Sequence, residues 1–319
     1  MKNFTTQSTI FAISLLGNDA QYSYNNGSQI FTNVSKYQLK RFLDKNWCEN
    51  EKLEELIFSM NIDWSTGWLS IDDCLLEKPF SKEINGVYWQ YSSKINDFEK
   101  GLNITVLTWS NGKIIVPIRF MVYEKENNRA IETKNEFALR AIEYAHQKGI
   151  NPICVNFDSK YSSSKFLNRI NDFNWIYYTQ LPQNRVFNLE QLKKQEFHLQ
   201  PKKGRLKGVV HKVSVIKHCR RFYATNAGNN VSRQQILKSY KTRWGIEDFF
   251  RSLKQLCHIK ECKSRTIKQQ RRFFMLSMQA FMLLQSMNKK SIYEAKLYFQ
   301  QKFMGRKISG NKALRLLAA

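Results

Sequence analysis

The sequence has few cysteines, six in 319 residues, and none of them forms a Cys-x-x-Cys pair. Cysteines this sparse do not build a disulfide scaffold, so we expect free thiols and a reducing compartment. Cys257 and Cys262 flank His258, but a structural zinc site needs a second pair of ligands, which the sequence does not offer at the usual spacing. We therefore expect these two cysteines to be buried thiols.

Long hydrophobic runs are missing as well. The apolar run 10–16 has only seven residues and no small-residue cleavage site after it, and the run 273–287 is interrupted by Ser277, Gln279 and Gln285. A membrane-spanning helix needs about 20 mostly apolar residues, and an export signal needs a cleavage site. The sequence therefore predicts neither a membrane span nor an export signal.

Acidic residues are scarce: 26 stand against 51 lysines and arginines, which gives a net charge of +25. Hydrophobic residues make up 42% and aromatic residues 13% of the chain, so a disordered basic tail is excluded. The length predicts about two domains, or one large domain with an insertion. A folded body with a strongly positive surface favours a polyanionic partner such as DNA.

Residues 1–65 have a helical pattern, with helix-like stretches at 37–43 and 50–60. In the segment 35–43 (SKYQLKRFL), basic and amide side chains face outward, as in the recognition helix of a helix-turn-helix. An ordinary amphipathic helix with a solvated basic face explains the same pattern equally well. We predict a helical DNA-binding region over 1–65, with this alternative left open.

A mixed α/β texture follows over residues 66–180. The predicted strand 68–71 runs into Asp72 and Asp73, and the predicted strand 153–157 ends at Asp158. Between them, alternating apolar residues on both sides of a turn at 111–112 predict a hairpin. Thr133 with Glu136 predicts a capping box at the start of a helix. A helix over 163–171 and a strand over 175–179 complete this part.

The segment 181–222 is basic and predicted to be a strand-rich insertion, with strands near 212–216 and 221–225. Its basic cluster is predicted to contact DNA and comprises Lys202, Lys203, Arg205 and Lys207. A merely solubilising surface is the alternative. Residues 223–260 are predicted to return to the core with a long helix from Ser232 to about Leu256, and 261–319 form a helical, basic C-terminal region.

The long helix carries the most informative spacing in the chain. At about 100° per residue, four polar side chains fall within roughly 60° of one another: Tyr240, Arg243, Glu247 and Lys254. On a generic helix this stripe would be a solvated face with ordinary ion pairs. A helix carboxylate beside two strand carboxylates, however, suits two magnesium ions about 3.5 to 4 Å apart, the arrangement that supports phosphodiester chemistry.

These residues resemble a known family, the bacterial insertion-sequence transposases of the DDE class. The pattern Tyr240-x2-Arg243-x3-Glu247-x6-Lys254, after Tyr223-Ala224-Thr225-Asn226, is similar to their Y-R-E-K signature. The segments Asp72-Asp73-Cys74 and Phe157-Asp158-Ser159-Lys160-Tyr161 are similar to their first and second aspartate segments. The resemblance extends over roughly residues 65 to 260.

The resemblance implies an α/β fold: an RNase H-like mixed-sheet catalytic core with a strand-rich insertion, a helical N-terminal region and a helical C-terminal tail. It implies cutting of DNA at transposon ends and joining of the 3′-hydroxyl to a target. Asp73, Asp158 and Glu247 would be the catalytic ligands of two Mg²⁺ or Mn²⁺ ions. Tyr240, Arg243 and Lys254 would hold phosphates, and Trp244 would stack on an unpaired base if the reaction passes through a hairpin.

The partners implied by the resemblance are double-stranded DNA, at the transposon ends and the target, and a second copy of the chain in a homodimer. The implied location is the bacterial cytoplasm, at the nucleoid. Two other functions remain as alternatives: a standalone magnesium-dependent nuclease of the same fold, and an inactive DNA-binding remnant of a transposase.

Two positions depart from the family pattern or stay ambiguous. Cys74 stands where the family usually has Thr, which removes a hydroxyl near the metals. Alternation puts Ile71 and Asp73 on one side of the strand and Ser70 and Asp72 on the other, and the pattern does not tell which side faces the site. We choose Asp73 from the family match, with Asp72 as the alternative.

Overall fold

The computed structural model describes residues 2–17, 21–81, 84, 86–92, 95–127, 129–228, 230–303 and 307–318. The chain forms two compact units. Unit 1 comprises Met1–Ile57, Leu75–Asn103 and Asp248–Ala319, and unit 2 comprises Phe58–Cys74 and Ile104–Glu247. The domain limits and domain roles predicted from the sequence stay predictions.

Helices and strands alternate in unit 2, whereas unit 1 is mostly helical. The helices are α1 (Lys2–Leu16), α2 (Tyr24–Ser28), α3 (Lys36–Asp44), α4 (Glu49–Phe58), α5 (Lys134–Gln147), α6 (Ser164–Asp172), α7 (Arg233–Lys241), α8 (Trp244–Gln255), α9 (Ile267–Ser286), α10 (Ile292–Phe303) and α11 (Gly310–Ala318). The strands are β1 (Trp68–Glu77), β2 (Tyr88–Ser92), β3 (Asp97–Ser110), β4 (Ile115–Val122), β5 (Lys125–Glu126), β6 (Arg129–Ala130), β7 (Val155–Phe157), β8 (Tyr177–Leu181), β9 (Val186–Phe187), β10 (Glu190–Gln191), β11 (Lys202–Gly204), β12 (Val213–His218) and β13 (Arg221–Thr225).

A mixed sheet is the centre of unit 2. Its strands follow the order β11-β12-β13-β8-β7-β1-β3, and β4 pairs with β3. Strands β8, β7 and β1 run parallel, whereas β11, β12, β13 and β8 are joined by antiparallel pairing. The fold class predicted from the sequence, a mixed α/β fold with a mixed central sheet and helices at both ends of the chain, is confirmed.

The parallel strands are buried because helices cover both of their faces. Each residue of β7 is buried. On one face, the Phe157 ring contacts the Phe166 ring of α6, with ring centroids 5.0 Å apart. On the other face, the Asn156 side chain donates to Thr242 Oγ1 at the end of α7, 2.7 Å away. These two contacts define an α6 face and an α7 face for the sheet.

Several predicted elements of unit 2 are confirmed. The hairpin of β3 and β4 turns at Gly112, whose φ is +85°. The capping box at the start of α5 is present, since Thr133 and Glu136 each bind the other's backbone N–H. The predicted strand before Asp72 is longer than expected, because β1 continues past both acids to Glu77.

The long helix predicted from Ser232 to Leu256 is wrong in one respect, because it breaks after Lys241. At the break, the N–H groups of Thr242 and Arg243 bond three residues back, to Ser239 and Tyr240, and Thr242 Oγ1 donates to the Ser239 carbonyl. A threonine hydroxyl that bonds the backbone competes with the helical pattern, and the glycine at 245 weakens it further. The strands β11, β12 and β13, in and just after the basic segment 181–222, extend the central sheet and do not form a sheet of their own.

Unit 1 is mainly helical. The capping box at Ser35 begins α3, and α4 follows, as predicted for residues 37–43 and 50–60. The Phe273 ring of α9 packs edge to face on Phe11 of α1, and the buried Arg272 guanidinium donates to the carbonyls of Leu43 and Trp47. Strand β2 pairs with the first part of β3.

No helix in the described ranges of the chain is long and apolar enough to cross a membrane. The apolar run 273–287 lies almost entirely within α9, whose side chains are largely buried. All six cysteines are free thiols, and Cys257 and Cys262 are buried, as expected.

Candidate active site

The strand register of the parallel strands brings two acids together. Ile71 of β1 is paired with Phe157 of β7, and Phe157 is paired with Thr179 of β8. The residues that follow these three are Asp72, Asp158 and Gln180. Paired positions in a sheet share a face, and so do residues two apart along a strand. Asp158 is two residues after Asn156, so we expect all three side chains on the α7 face. We call this set the acidic row.

A single guanidinium connects the acidic row to helix α8. Arg243 Nη1 donates to Asp72 Oδ2, 2.7 Å away, and Arg243 Nη2 donates to Glu247 Oε1. Only 15% of the Arg243 side chain and 17% of the Asp72 side chain are exposed. Arg243 therefore bridges the first strand carboxylate and the helix carboxylate of the predicted site.

The helix break explains why Arg243 reaches the strands. Arg243 lies in the turn between α7 and α8. The neighbouring Thr242 is fixed by the hydrogen bond from Asn156, which lies on the α7 face of the sheet. Glu247 then falls one helical turn beyond Arg243, a spacing at which side chains meet on a helix surface. The local sequence thus presents a cation and a carboxylate to the same strand ends.

Asp73 lies on the opposite side of β1 and has different partners. Its carboxylate accepts hydrogen bonds from Lys134 Nζ at 2.6 Å, Lys160 Nζ at 3.4 Å and the Tyr161 hydroxyl at 3.1 Å. Only 6% of the Asp73 side chain is exposed. Lys134 is the first residue of α5, so the capping box at Thr133 aims it at Asp73. Asp73 is held by two ammonium groups and a phenol.

Asp158 follows β7 and caps a single 3₁₀ turn, Ser159–Tyr161. Its carboxylate accepts the Lys160 backbone N–H, 2.8 Å away. The residue therefore has an extended backbone that continues the strand and a side chain fixed by the turn. The same turn projects the Lys160 ammonium toward Asp73.

The carboxylates of the site repel one another in a poorly solvated place. Burial raises the pKa of Asp72 to about 7; Arg243 opposes this shift, and the charges of Asp158 and Asp73 reinforce it. Burial also raises the pKa of Asp158, against the effects of the Lys160 N–H and ammonium. A site in which carboxylates are desolvated and crowded favours the binding of added positive charge.

Tyr240 lies at the end of α7 beside the acidic row. Its hydroxyl is 3.4 Å from Gln180 Oε1, and its ring packs on the Tyr223 ring with centroids 5.0 Å apart. The Arg243 guanidinium lies 5.7 Å from the centre of the Tyr240 ring. Tyr240, Arg243 and Glu247, three of the four residues of the predicted signature, therefore meet around the acidic row in unit 2.

Two other predicted residues of the signature region have separate surroundings. Trp244 begins α8 and is 53% exposed, so its ring has a free face. Lys254 belongs to unit 1, where its Nζ lies 3.6 Å from Glu77 Oε1. The predicted phosphate role of Lys254 and the stacking role of Trp244 stay predictions.

The predicted basic cluster is exposed. Lys202 and Lys203 lie on β11, and Arg205 and Lys207 lie in the turn that follows it. Lys202 Nζ donates to Gln195 Oε1, 3.0 Å away. DNA contact by these four residues stays a prediction.

The donor atoms of the site fit a divalent cation such as Mg²⁺ by their chemistry. Mg²⁺ prefers carboxylate oxygens, and the desolvated Asp72 and Asp158 carboxylates would be stabilised by its charge. Within the described ranges, however, no three histidine, cysteine, aspartate or glutamate side chains are grouped so that they could hold a metal. Arg243 occupies the place between Asp72 and Glu247, so it has to move before both can bind one cation.

Sequence reasoning missed Lys134, Lys160, Tyr161 and Gln180. Three of them contact Asp73, and Gln180 completes the acidic row. Pairing register was the missing information. Counting one residue past each of the predicted strands 68–71 and 153–157 would have aligned Asp72 with Asp158, but the sequence alone does not fix which strand positions pair.

Comparison with known families identifies one family for the chain. The family model of the transposase DDE domain matches residues 71–283, more than half of the chain. No curated protein matches the chain. The mixed central sheet with helices at both ends is consistent with the RNase H-like core of such a domain. The acidic row and the Glu247 helix lie within the matched residues, and the chain belongs to the transposase DDE domain family.

Proposed function

We propose that this protein is an insertion-sequence transposase that binds transposon-end DNA, cleaves phosphodiester bonds and transfers the 3′-hydroxyl ends to target DNA with two Mg²⁺ or Mn²⁺ ions. The observation that carries the proposal is the bridge from Asp72 through Arg243 to Glu247 beside Asp158. The family match supports the same reaction class. On the resemblance stated above, we also propose that the chain carries the Y-R-E-K signature. On the same resemblance, we propose that it acts in the bacterial cytoplasm as a homodimer on two DNA ends.

For the metal ligands we propose Asp72, Asp158 and Glu247, with Asp72 in place of the Asp73 chosen from the sequence. Asp72 shares the α7 face with Asp158 by register, and it shares Arg243 with Glu247. Asp73 already has two ammonium partners on the other side of β1. Asp72 also has partners, Arg243 and the Asp73 backbone N–H, but it lies on the side of β1 that Asp158 shares, which supports the change.

The chain's own residues then have separate roles. Bound divalent ions supply an activated water or 3′-hydroxyl and stabilise the leaving oxygen. Asp72, Asp158 and Glu247 would hold those ions, and the Arg243 guanidinium would then suit bidentate contact with a phosphate. Tyr240, fixed against Tyr223 and Gln180, positions the α7 end that carries Arg243.

Asp73 has a positioning role in this proposal. Its carboxylate accepts hydrogen bonds from the Lys134 and Lys160 ammonium groups. Asp73 therefore keeps these two side chains close to the site and would not itself contact a metal. The charges of Asp73, Asp158 and Asp72 raise the pKa of Lys160, although burial acts in the opposite direction. Lys160 therefore stays protonated and adds positive charge where a DNA strand approaches.

The experiment that tests the proposal uses labelled DNA carrying the ends of the element that encodes the chain, with Mg²⁺ or Mn²⁺. We expect wild type to nick at the ends and to join them to a second DNA. We expect Glu247→Gln to bind the same DNA but to do neither. Equal cleavage by wild type and Glu247→Gln would contradict the proposal.

Two outcomes distinguish the alternative functions. Cleavage without joined products would favour a standalone nuclease with the same carboxylates. Binding without cleavage in either metal would favour a DNA-binding remnant. In the second case Cys74→Thr, which restores the hydroxyl usual in the family, is the informative variant, because Cys74 directly follows the two aspartates on β1.

A further inference from the structure

The turn between β9 and β10 has an unusual residue at its tip. Phe187 and Glu190 pair across the two strands, so Asn188 and Leu189 are the two residues of a tight hairpin turn. Both have positive φ, +47° for Asn188 and +74° for Leu189. Turns of this type favour Asn followed by Gly, and Leu189 therefore occupies the position that glycine normally takes.

Leu189 gains nothing from burial in return. Its side chain is 99% exposed, although a left-handed backbone is unfavourable for a residue with a Cβ and a bulky side chain. Solitary exposed leucines are common on proteins, but this one is exposed and conformationally strained at once. Strain of this kind persists only where the surroundings impose it, and it clusters at functional positions.

The surroundings do impose it. Asn188 Oδ1 accepts the Arg205 N–H, 2.9 Å away, and the Asn188 N–H donates to the Arg205 carbonyl at 3.0 Å. Gln195 Nε2 donates to the carbonyls of Phe187 and Glu190, the two ends of the turn, with 2.8 Å to Glu190. The turn is thus tied to the β11 segment on one side and to Gln195 on the other, with Leu189 projecting outward.

Exposed cations surround this tip. Asn188 and Leu189 line an open groove together with Arg205, Lys207 and Lys212, and the three cations are exposed. One exposed acid, Glu190, follows Leu189 in the chain. A groove lined by three cations and a projecting apolar side chain matches the surface of duplex DNA, because the phosphates of DNA carry charge and its base steps accept apolar wedges.

We propose that Leu189 is a wedge that enters duplex DNA between neighbouring bases and unstacks them, while Arg205, Lys207 and Lys212 hold the flanking phosphates. The inference rests on the proposed action on DNA and adds a distortion of the duplex to it. Fixing the side chain in advance, by a clamped turn, reduces the ordering penalty on insertion. A base step opened in this way is accessible to the groups that process the strand end.

The test uses two short duplexes, one intact and one identical except for a central T·T mismatch, each with 2-aminopurine beside the central position. A mismatched step unstacks more easily, so we expect wild type to bind the mismatched duplex at least about fivefold more tightly than the intact one. We expect 2-aminopurine fluorescence to rise on binding. No metal is added, so the readout is independent of cleavage.

Leu189→Gly and Leu189→Asn are the informative variants. Both side chains suit a left-handed backbone, so the melting temperature should stay equal or rise, and the cations of the groove are unchanged. We expect both variants to bind the intact duplex as wild type does, to lose the preference for the mismatch to within about twofold, and to give no fluorescence rise. Leu199→Gly is the matched control at another exposed leucine, 79% exposed, and should behave as wild type.

The contrary outcomes separate this inference from the proposed function. If Leu189→Gly keeps the mismatch preference, or if it weakens both duplexes equally, Leu189 is not a wedge. If wild type binds the two duplexes equally, the wedge is excluded while DNA binding stands. If wild type binds neither, both the wedge and the proposed action on DNA are overturned. A wedge signal with no cleavage of end DNA would contradict only the proposed reaction.

Discussion

The two charged regions of unit 2 differ in burial and in how their charges are balanced. Around the acidic row, Asp72 is largely buried and its carboxylate is held by the Arg243 guanidinium. In the groove beside Leu189, Arg205 and Lys207 are exposed. Groups that carry out chemistry must be held in place, and desolvation strengthens their interactions. Groups that gather a polyanion act through long-range charge, so exposure does not weaken this role. The comparison therefore supports the proposed reaction at the first region and the predicted DNA capture at the second.

The largest expected effect separates the two neighbouring aspartates of β1. We expect Asp72→Asn to lower cleavage of end DNA about a thousandfold or more, because it removes a proposed ligand. We expect Asp73→Asn to lower it by less than about tenfold, since Lys134 and Lys160 lose only a positioning partner. Cleavage rates at saturating DNA measure both.

Each of the two variants is the control for the other, because each exchanges one carboxylate for an amide on the same strand. DNA affinity without metal should be similar for both. The reverse order of activities, with Asp73→Asn inactive and Asp72→Asn active, would restore Asp73 as the ligand and would remove Asp72 from the proposed metal site.

The next effect concerns the basic cluster, and it tests whether capture and reaction are separable. We expect the fourfold variant that replaces Lys202, Lys203, Arg205 and Lys207 by Gln to bind DNA more weakly. The slope of log K against log salt is negative, and its magnitude should decrease by about 0.9 for each phosphate contact that is lost. Fluorescence anisotropy across a salt series gives the slope. An unchanged slope would show that these cations form only a solubilising surface.

A smaller effect is expected for the stability of the Asp73 cluster. Lys134→Met removes the ammonium closest to Asp73, whose side chain is 6% exposed. We expect the free energy of unfolding to fall by about 1 to 3 kcal/mol, because a buried carboxylate loses a charged partner. Urea unfolding measures the change.

The double variant Lys134→Met with Asp73→Asn sharpens this result. Once the carboxylate is neutral, the missing ammonium should matter less, so the two losses should not add. Additive losses would mean that Lys134 stabilises the start of α5 independently of Asp73. Arg140→Met, on the outer part of the same helix where Arg140 pairs with Glu132, is a control with exposed charges.

The last effect is a pH dependence of stability from Asp72. Burial raises its pKa in the folded chain to about 7, whereas an unfolded Asp titrates near 3.9. Between these values the folded protein binds the extra proton, so stability should fall as pH rises from about 4 to about 7, by at most about 1.4 kcal/mol per pH unit. The charged groups that act on Asp72 are Arg243, Asp158 and Asp73.

The measurement compares wild type with Asp72→Asn in urea unfolding over that pH range without metal. The slope of stability against pH should be more negative for wild type than for the variant, because Asn carries no titrating proton. Equal slopes would mean that Arg243 compensates the Asp72 charge fully, and that burial does not control its titration.

The sequence predicted the fold class and the local elements well because their signals are local. The capping box at Thr133 and the turn at Gly112 depend on a few adjacent residues, and both are present. The break at Thr242 was missed although Thr242 itself bonds the backbone of α7, and the hydrogen bond that Thr242 accepts from Asn156, 86 residues away, has no local signal. Helical periodicity continues through the break, so the pattern gave no warning of it.

The candidate site was predictable in its residue types but not in its pairing. The spacing from Arg243 to Glu247 indicates that the two side chains meet, which holds in the structure. The choice between Asp72 and Asp73 depends on which residue of β7 lies opposite which residue of β1. Register of this kind is set by the whole sheet. The strained turn at Leu189 was likewise invisible, because a leucine between Asn188 and Glu190 gives no hairpin signal.

The Arg243 bridge has a consequence for the order in which the complex assembles. As long as one guanidinium joins Asp72 to Glu247, a divalent cation and that guanidinium compete for the same oxygens. A DNA phosphate offers the guanidinium another partner, so DNA should increase the affinity for the cation. By reciprocity the cation should increase the affinity for DNA by the same factor. If Asp72 and Glu247 hold the proposed ions, the bridge would therefore keep metal affinity low until DNA is bound.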